Sequence, residues 1–132
     1  MARTQKQKAA QTHAVSLITL TNPSSPIAEQ YRTIRTNIQF ASAAGQQIKT
    51  IVVTSPGPRE GKSTTAANIA VVFAKSGQRV LLVDADLRKP VVYKTFQLNN
   101  ASGLSTALSS SGSVADVIQR TPVENLDRKS VV

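Results

Sequence analysis

The chain has 132 residues, the length of one domain with a single core. It carries 16 Lys and Arg against 7 Asp and Glu, a formal net charge of +9, and no cysteine. This excludes disulfides, a cysteine nucleophile and thiolate metal sites. No apolar run is long enough to span a bilayer, and no signal-like apolar region follows Met1.

Residues 1–22 read as an irregular basic tail. Arg3, Lys6 and Lys8 lie among Gln and Thr, and the single histidine, His13, is expected to be solvated there. The sharper reading of the tail is contact with an anionic membrane surface or an acidic partner. Nucleic acid is not expected: the chain has only two Tyr and three Phe, and no basic helix interleaved with aromatics. Val15–Leu20 reads as a short edge strand.

A helix follows. Ser25 suits the N-cap and Pro26 the first helical position. Ile27, Tyr31, Ile34, Ile38 and Ala41 recur at helical spacing, and Gly45 is a natural stop.

Residues 48–54, with Ile51-Val52-Val53, form the next predicted strand. It runs into Ser55-Pro56-Gly57-Pro58-Arg59-Glu60-Gly61-Lys62-Ser63-Thr64-Thr65, which opens a helix over 61–76. Strand, tight loop, Gly-Lys-Ser and helix is the layout of a phosphate-binding loop. Backbone N–H groups of such a loop point at phosphate oxygens. Gly61 permits close backbone approach. Lys62 brings a mobile positive charge, and Ser63 offers a hydroxyl to Mg²⁺. The usual pattern has glycine where Pro56 stands, with Gly57 one place late. A lone Gly-Lys-Ser is an ordinary helix-capping loop; the flanking strand and helix favour nucleotide binding. Ala66, Ile69, Ala70, Phe73 and Ala74 line one helix face, and Gly77 fits a left-handed C-terminal cap.

The run Val80-Leu81-Leu82-Val83 predicts a buried strand over 79–84, ending in Asp84-Ala85-Asp86-Leu87-Arg88. Carboxylates at the C-terminal end of a parallel strand lie where open α/β sheets bind ligands. Asp84 and Asp86 share a parity. They are suited to hold Mg²⁺ through water, or to take a proton from an attacking hydroxyl. The plain alternative is a polar strand end making a turn.

Two weaker helices are predicted over 90–96 and 113–120, joined by a flexible Ser109–Gly112 bridge. Arg128-Lys129-Ser130 is a poor start for a buried strand, so no third strand is expected. The fold class is α/β, a P-loop NTPase-like doubly wound parallel sheet with flanking helices, incomplete in this chain. The expected divisions are the tail 1–22, the N-terminal part of a P-loop domain 23–127, and a divergent end 128–132. We read the polypeptide as a fragment or the product of a frameshift or fusion.

Together the loop and the Asp84 segment resemble the bacterial tyrosine kinases of capsule and exopolysaccharide synthesis, relatives of the septum-site and partition ATPases. The resemblance runs from about Ser24 to Asp127. In that family Thr54–Ser63 corresponds to the Walker A loop and Leu81–Arg88 to the Walker A′ segment. Glu29-Gln30-Tyr31-Arg32-Thr33-Ile34-Arg35 fits the Glu-x-x-Arg-x-x-Arg motif by which these kinases form rings. Glu29, Arg32 and Arg35 lie along one helix flank; without the family they read as a solvated face. Partition and septum-site ATPases carry a signature lysine where this chain has Gly57, which favours the kinase branch.

The resemblance implies transfer of the γ-phosphoryl of ATP to tyrosine, with ATP and Mg²⁺ required. It implies Lys62, Asp84 and Asp86 as catalytic residues and Ser63, Asp84 and Asp86 around the metal. Gly57, Pro58, Arg59, Glu60, Gly61, Lys62, Ser63 and Thr64 would cradle the nucleotide. It implies a separate membrane-bound activator, tyrosine-bearing protein substrates, a homo-oligomer, and a cytoplasmic location at the inner face of the membrane. A Walker B segment and a C-terminal tyrosine cluster are not found; Val114-Ala115-Asp116 is the nearest candidate for the former. Alternatives are a partition-type ATPase switch, or a non-catalytic chain docking into rings of an intact kinase.

Overall fold

The computed structural model describes residues 16–42, 45–58, 61–86, 88–110 and 112–129. The basic residues of the tail, and His13, lie outside them.

Chain entry is helical where an edge strand was expected. Helix α1, Ile18–Thr21, is a single turn. The Thr21 and Asn22 amides bond back to the Leu17 and Ile18 carbonyls. Leu17 packs into the core, and the Thr19 N–H is taken by the Asn68 side chain. That amide is thereby spent locally and cannot join a sheet.

Helix α2, Pro26–Ala41, begins as the sequence predicts: the Ser25 hydroxyl accepts from the Ala28 amide at 3.1 Å, and Pro26 follows the cap. Its buried flank differs from the predicted stripe. Ala28 is the buried residue, with Tyr31, Arg32, Arg35 and Ile38 half-buried, while Ile27 and Ile34 are exposed. A small residue at the crossing lets two helices approach closely, and the position of Ala28 sets which flank turns inward. The helix ends before Gly45, at Ala41.

Residues 46–55 were expected to include a strand and carry no regular structure. A strand needs a hydrogen-bonding neighbour, and none of the described strands pairs with this segment. Ile48, Ile51 and Val52 are accordingly exposed, Val52 to 82%.

Helix α3, Lys62–Lys75, is the centre of the molecule. It closes in a Schellman motif: the Gly77 amide donates to Ala74 and the Gln78 amide to Phe73, with Gly77 at φ +89°. The predicted face of Ala66, Ile69, Ala70 and Phe73 turns toward residues 48–53 and the next strand. The opposite side is closed, with Ala67, Asn68 and Val71 fully buried.

Then come β1 (Val80–Val83), α4 (Val92–Thr95), α5 (Leu104–Ser109), a 3-10 helix (Val114–Val117), β2 (Ile118–Arg120) and β3 (Leu126–Lys129). The sheet order is β1-β3-β2, with β1 and β3 parallel and β2 antiparallel to β3. The α/β class expected from sequence is therefore present, with one antiparallel strand at the edge. Within β1 only Leu82 is buried; Leu81 and Val83 are exposed. The run is apolar throughout, yet only one of its faces is covered, since α3 packs there.

Two further expectations change. The helix predicted over 113–120 is one 3-10 turn followed by a strand. Ser113 caps the turn, accepting from the Ala115 amide, while Asp116 accepts from the Ser113 amide. The β-branched Val117 and Ile118 favour the extended backbone that follows. A third strand also exists. Asn125, at φ +64°, turns the chain, its carbonyl accepts from the Val80 amide at 2.8 Å, and Leu126 is 1% exposed. Backbone pairing on both edges carries Leu126–Lys129 as a strand without asking for an apolar run.

The core gathers Leu17, Ala67, Val71, Leu82, Phe96 and Leu126.

Candidate phosphate-binding site

The loop before α3 is shaped by its own backbone. The Ser55 hydroxyl donates to the Gly57 carbonyl at 2.8 Å, tightening the turn through Pro56. Arg59 and Glu60 lie outside the described residues. Gly61 sits at φ +80°, ψ 15°, the left-handed region that residues with a Cβ avoid. A Cβ there would meet nothing within 4 Å, so conformation and not space requires glycine.

Gly61 hands the chain to α3 with no side chain capping the first turn. The first internal bond runs from the Thr65 amide to the Gly61 carbonyl, at 2.9 Å. The amides of Lys62, Ser63 and Thr64 precede it, as the opening amides of any helix do, and point out of its positive end. Lys62, Ser63 and Thr64 are half-buried. An anion placed there meets backbone donors, a lysine and two hydroxyls.

The two predicted aspartates separate in role. Asp84, at the end of β1, is buried. Its Oδ1 accepts from the Asp86 amide at 3.1 Å, and its Oδ2 from the amides of Val91 and Val92 at 3.2 and 3.3 Å. It thus closes residues 84–92 into a loop and caps the turn of α4. Asp86 is half-buried, and its Oδ1 accepts from the Arg88 and Lys89 amides at 3.0 Å each. The Lys89 amide is the chief cause of a carboxyl pKa held below its ordinary 3.8. Burial opposes it as the next largest effect, and the Arg88 amide and the charges of Lys62 and Arg88 lower it further.

Among the described residues no three His, Cys, Asp or Glu side chains cluster to hold a metal. The donor set present suits Mg²⁺ better than a metal that wants an all-protein cage. Mg²⁺ binds through one or two protein oxygens and keeps its waters. Ser63 and the second carboxylate oxygen of Asp86 are of that kind, whereas both oxygens of Asp84 accept amide bonds.

The helix motif also divides. Arg32, itself half-buried, pairs with the exposed Glu29 at 2.7 Å. Arg35 turns inward instead, its Nη1 donating to the Val72 carbonyl of α3 at 3.1 Å with its Nε buried and unpartnered. A residue that the sequence reading passed over, Asn68, lies fully buried in α3. Its signal was available: one amide side chain in an otherwise Ala- and Val-rich helix.

The model of the CobQ/CobB/MinD/ParA nucleotide binding domain matches residues 51–132. Tyrosine-protein kinase YwqD of Bacillus subtilis (strain 168) is 52% identical over 112 residues, covering 85% of this chain and 47% of that protein. Putative tyrosine-protein kinase CapB of Staphylococcus aureus is 43% identical over 105 residues, 80% of this chain and 46% of that one. The chain thus spans about half the length of these curated relatives. The crystal structure of the chimerical protein CapA2B2 superposes with a TM-score of 0.79 at 44% identity, over 86% of this chain and 49% of that chain. The kinase domain of Escherichia coli tyrosine kinase ETK does so with a TM-score of 0.80 at 29% identity, over 89% and 46%.

Proposed function

The chain belongs to the CobQ/CobB/MinD/ParA nucleotide-binding family, and on that premise we propose that it is the nucleotide-binding part of an ATP-dependent protein-tyrosine kinase acting in capsule or exopolysaccharide synthesis. The similarity to tyrosine-protein kinases supports the reaction. The observation that supports the site is Gly61 in its left-handed conformation, which opens α3 with Lys62 and Ser63 in a first turn that no side chain caps.

Phosphoryl transfer asks the protein mainly for positioning and charge neutralisation. The amides of Gly57 and of Lys62 to Thr64 would hold phosphate oxygens, and Lys62 would place its charge against the terminal phosphates. Ser63 and Asp86 would hold Mg²⁺, which supplies further neutralising charge when bound. Asp84, with three amides on its carboxylate, supports a holding role: it fixes the turn that carries Asp86. Its expected part in deprotonating tyrosine draws less support, because both oxygens are already committed.

The Glu29–Arg32 pair, exposed at Glu29, is the part of the motif left to face a second subunit in a homo-oligomer. A membrane-bound activator, tyrosine-bearing protein substrates and a cytoplasmic site belong to the same proposal. Among the described residues no helix is long and apolar enough to cross a membrane.

The test is thermal unfolding with and without Mg-ATP, with Lys62→Met as control, followed by a phosphotyrosine assay. We expect Mg-ATP to raise the midpoint of the natural sequence only. An equal rise in Lys62→Met, or none in either, would remove the site. Phosphotyrosine formation that persists in Lys62→Met would remove the assigned role of the lysine.

A further inference from the structure

Asn68 lies in the second turn of α3 with no exposed surface. An amide side chain has two donor hydrogens and two acceptor lone pairs, and all four are used. Its Oδ1 accepts from the Thr19 amide at 3.1 Å and from the Thr19 hydroxyl at 2.7 Å. Its Nδ2 donates to the Ser16 carbonyl at 2.7 Å and to the Thr64 carbonyl at 2.8 Å. Thr19 is as deeply buried, and its carbonyl accepts from Lys75 Nζ at 3.3 Å, further along the same helix. Leu17, between these contacts, enters the core beside Ala67, Ala70 and Val71.

The arrangement joins two places that are distant in sequence. One is the entry segment Ser16–Thr21. The other is Thr64, whose carbonyl sits in the first turn of α3, directly after Lys62 and Ser63. An apolar side chain could fill the same space without the cost of burying an amide. A fully satisfied buried network instead fixes one relative orientation, because rotating either element leaves polar groups unpaired in a dry interior.

We propose that Asn68 is a positioning residue that links docking of the Ser16–Thr21 segment to occupancy of the phosphate loop. The proposal rests on the nucleotide-binding reading above and adds its regulation. With the segment docked, the first turn of α3 is held in the orientation that presents its amides and Lys62. When the segment leaves, the Asn68 amide loses three of its four partners and that turn is freed. Linkage makes the effect reciprocal: a nucleotide that favours the held orientation must tighten the segment by the same factor. Whatever engages residues 1–15 would then be felt at the loop.

The experiment uses the full chain with Mg-ADP as probe. It compares the natural sequence with Thr19→Val, which keeps the shape and loses the hydroxyl, and Thr19→Ser, which keeps the hydroxyl. Lys62→Met is the control. Two quantities are read well below the unfolding midpoint: Mg-ADP affinity, and hydrogen exchange at the Thr19 amide. We expect saturating Mg-ADP to slow that exchange in the natural sequence but not in Lys62→Met. We expect Thr19→Val to weaken Mg-ADP binding by about fivefold or more, and Thr19→Ser to recover most of it. Thr19→Val that melts earlier yet binds Mg-ADP as tightly as before would reduce the network to plain structure and overturn the proposal. That result, with Lys62→Met failing to bind, leaves the nucleotide reading intact. No Mg-ADP binding by the natural sequence would overturn both together.

Discussion

Helix α3 has two sides, and they are finished to different degrees. Toward α1 and α2 its contacts are closed: Ala28 against it, Arg35 bonded to the Val72 carbonyl, and Asn68 with every polar valence met. Toward residues 48–53 and β1 a groove remains, lined by Ile48, Ile51, Ala66, Ile69 and Phe73. On the closed side polar groups specify a unique packing. On the open side Ile48, Ile51 and Val52 stay exposed, as do Leu81 and Val83 of β1. Apolar pattern makes a surface able to pack; it takes a neighbour at the correct distance to make it a core.

The largest test of this contrast is Asn68→Ala. It should cost about 3 kcal/mol in urea unfolding, since the amide and hydroxyl of Thr19 stay buried with nothing to bond. A cost below about 1 kcal/mol would mean that the closed side is held by its apolar contacts alone. Next comes Arg35→Ala, expected at about 1 kcal/mol, because one hydrogen bond is lost while a buried unpaired Nε is removed with it. A larger loss would make Arg35 a principal tie between the helices.

On the sheet side the charge-dependent element is the Asp86 turn. Its carboxyl pKa lies below 3.8 in the folded protein. Its stabilising contribution is therefore present above that ordinary value and lost as pH falls through the folded one. Comparing acid unfolding of Asp86→Asn with the natural sequence should show a gap near neutrality that closes below about pH 4. A gap that widens on acidification would reverse the assignment. The smallest effect should be Val52→Thr, within about 0.5 kcal/mol, as for exposed positions in general. A loss of more than about 1 kcal/mol would show that the groove side is already packed.

The same contrast explains what could be read from the sequence. α2, α3 and β1 were legible because caps and periodicity are local: Ser25-Pro26 starts one helix and Gly77 ends another within a few residues of the signal. The turn at Gly61 that opens α3 was legible for the same reason. The 48–54 strand failed because pairing is not local, and a β-branched run says nothing about whether a neighbour exists. α1 failed because its Thr19 amide is claimed by Asn68, 49 positions away. β3 was missed because Leu126 is its only buried apolar residue among those whose burial is described, and backbone bonding supplies the rest. Asp84 and Asp86 were placed together correctly at the end of β1, but their division of labour depends on which amides fall against which oxygen. No spacing rule carries that information.

The pairing of β1 with β3 has a consequence in time. Val80 meets Leu126 only after nearly all of the chain between them has been drawn into a closed loop. Closing so long a loop is paid in entropy before any sheet bond returns it. The cap of α2 and the Schellman turn of α3 close within a few residues, whereas Arg35 reaches Val72 across 37 positions and Thr19 reaches Asn68 across 49. The individual helices should therefore form before the sheet, leaving an interval in which β1 displays two bare edges and apolar Leu81 and Val83. During that interval another copy of β1 competes with β3 for the same backbone bonds. The concentration at which the protein refolds should thus govern its yield more strongly than the stability of the state it reaches.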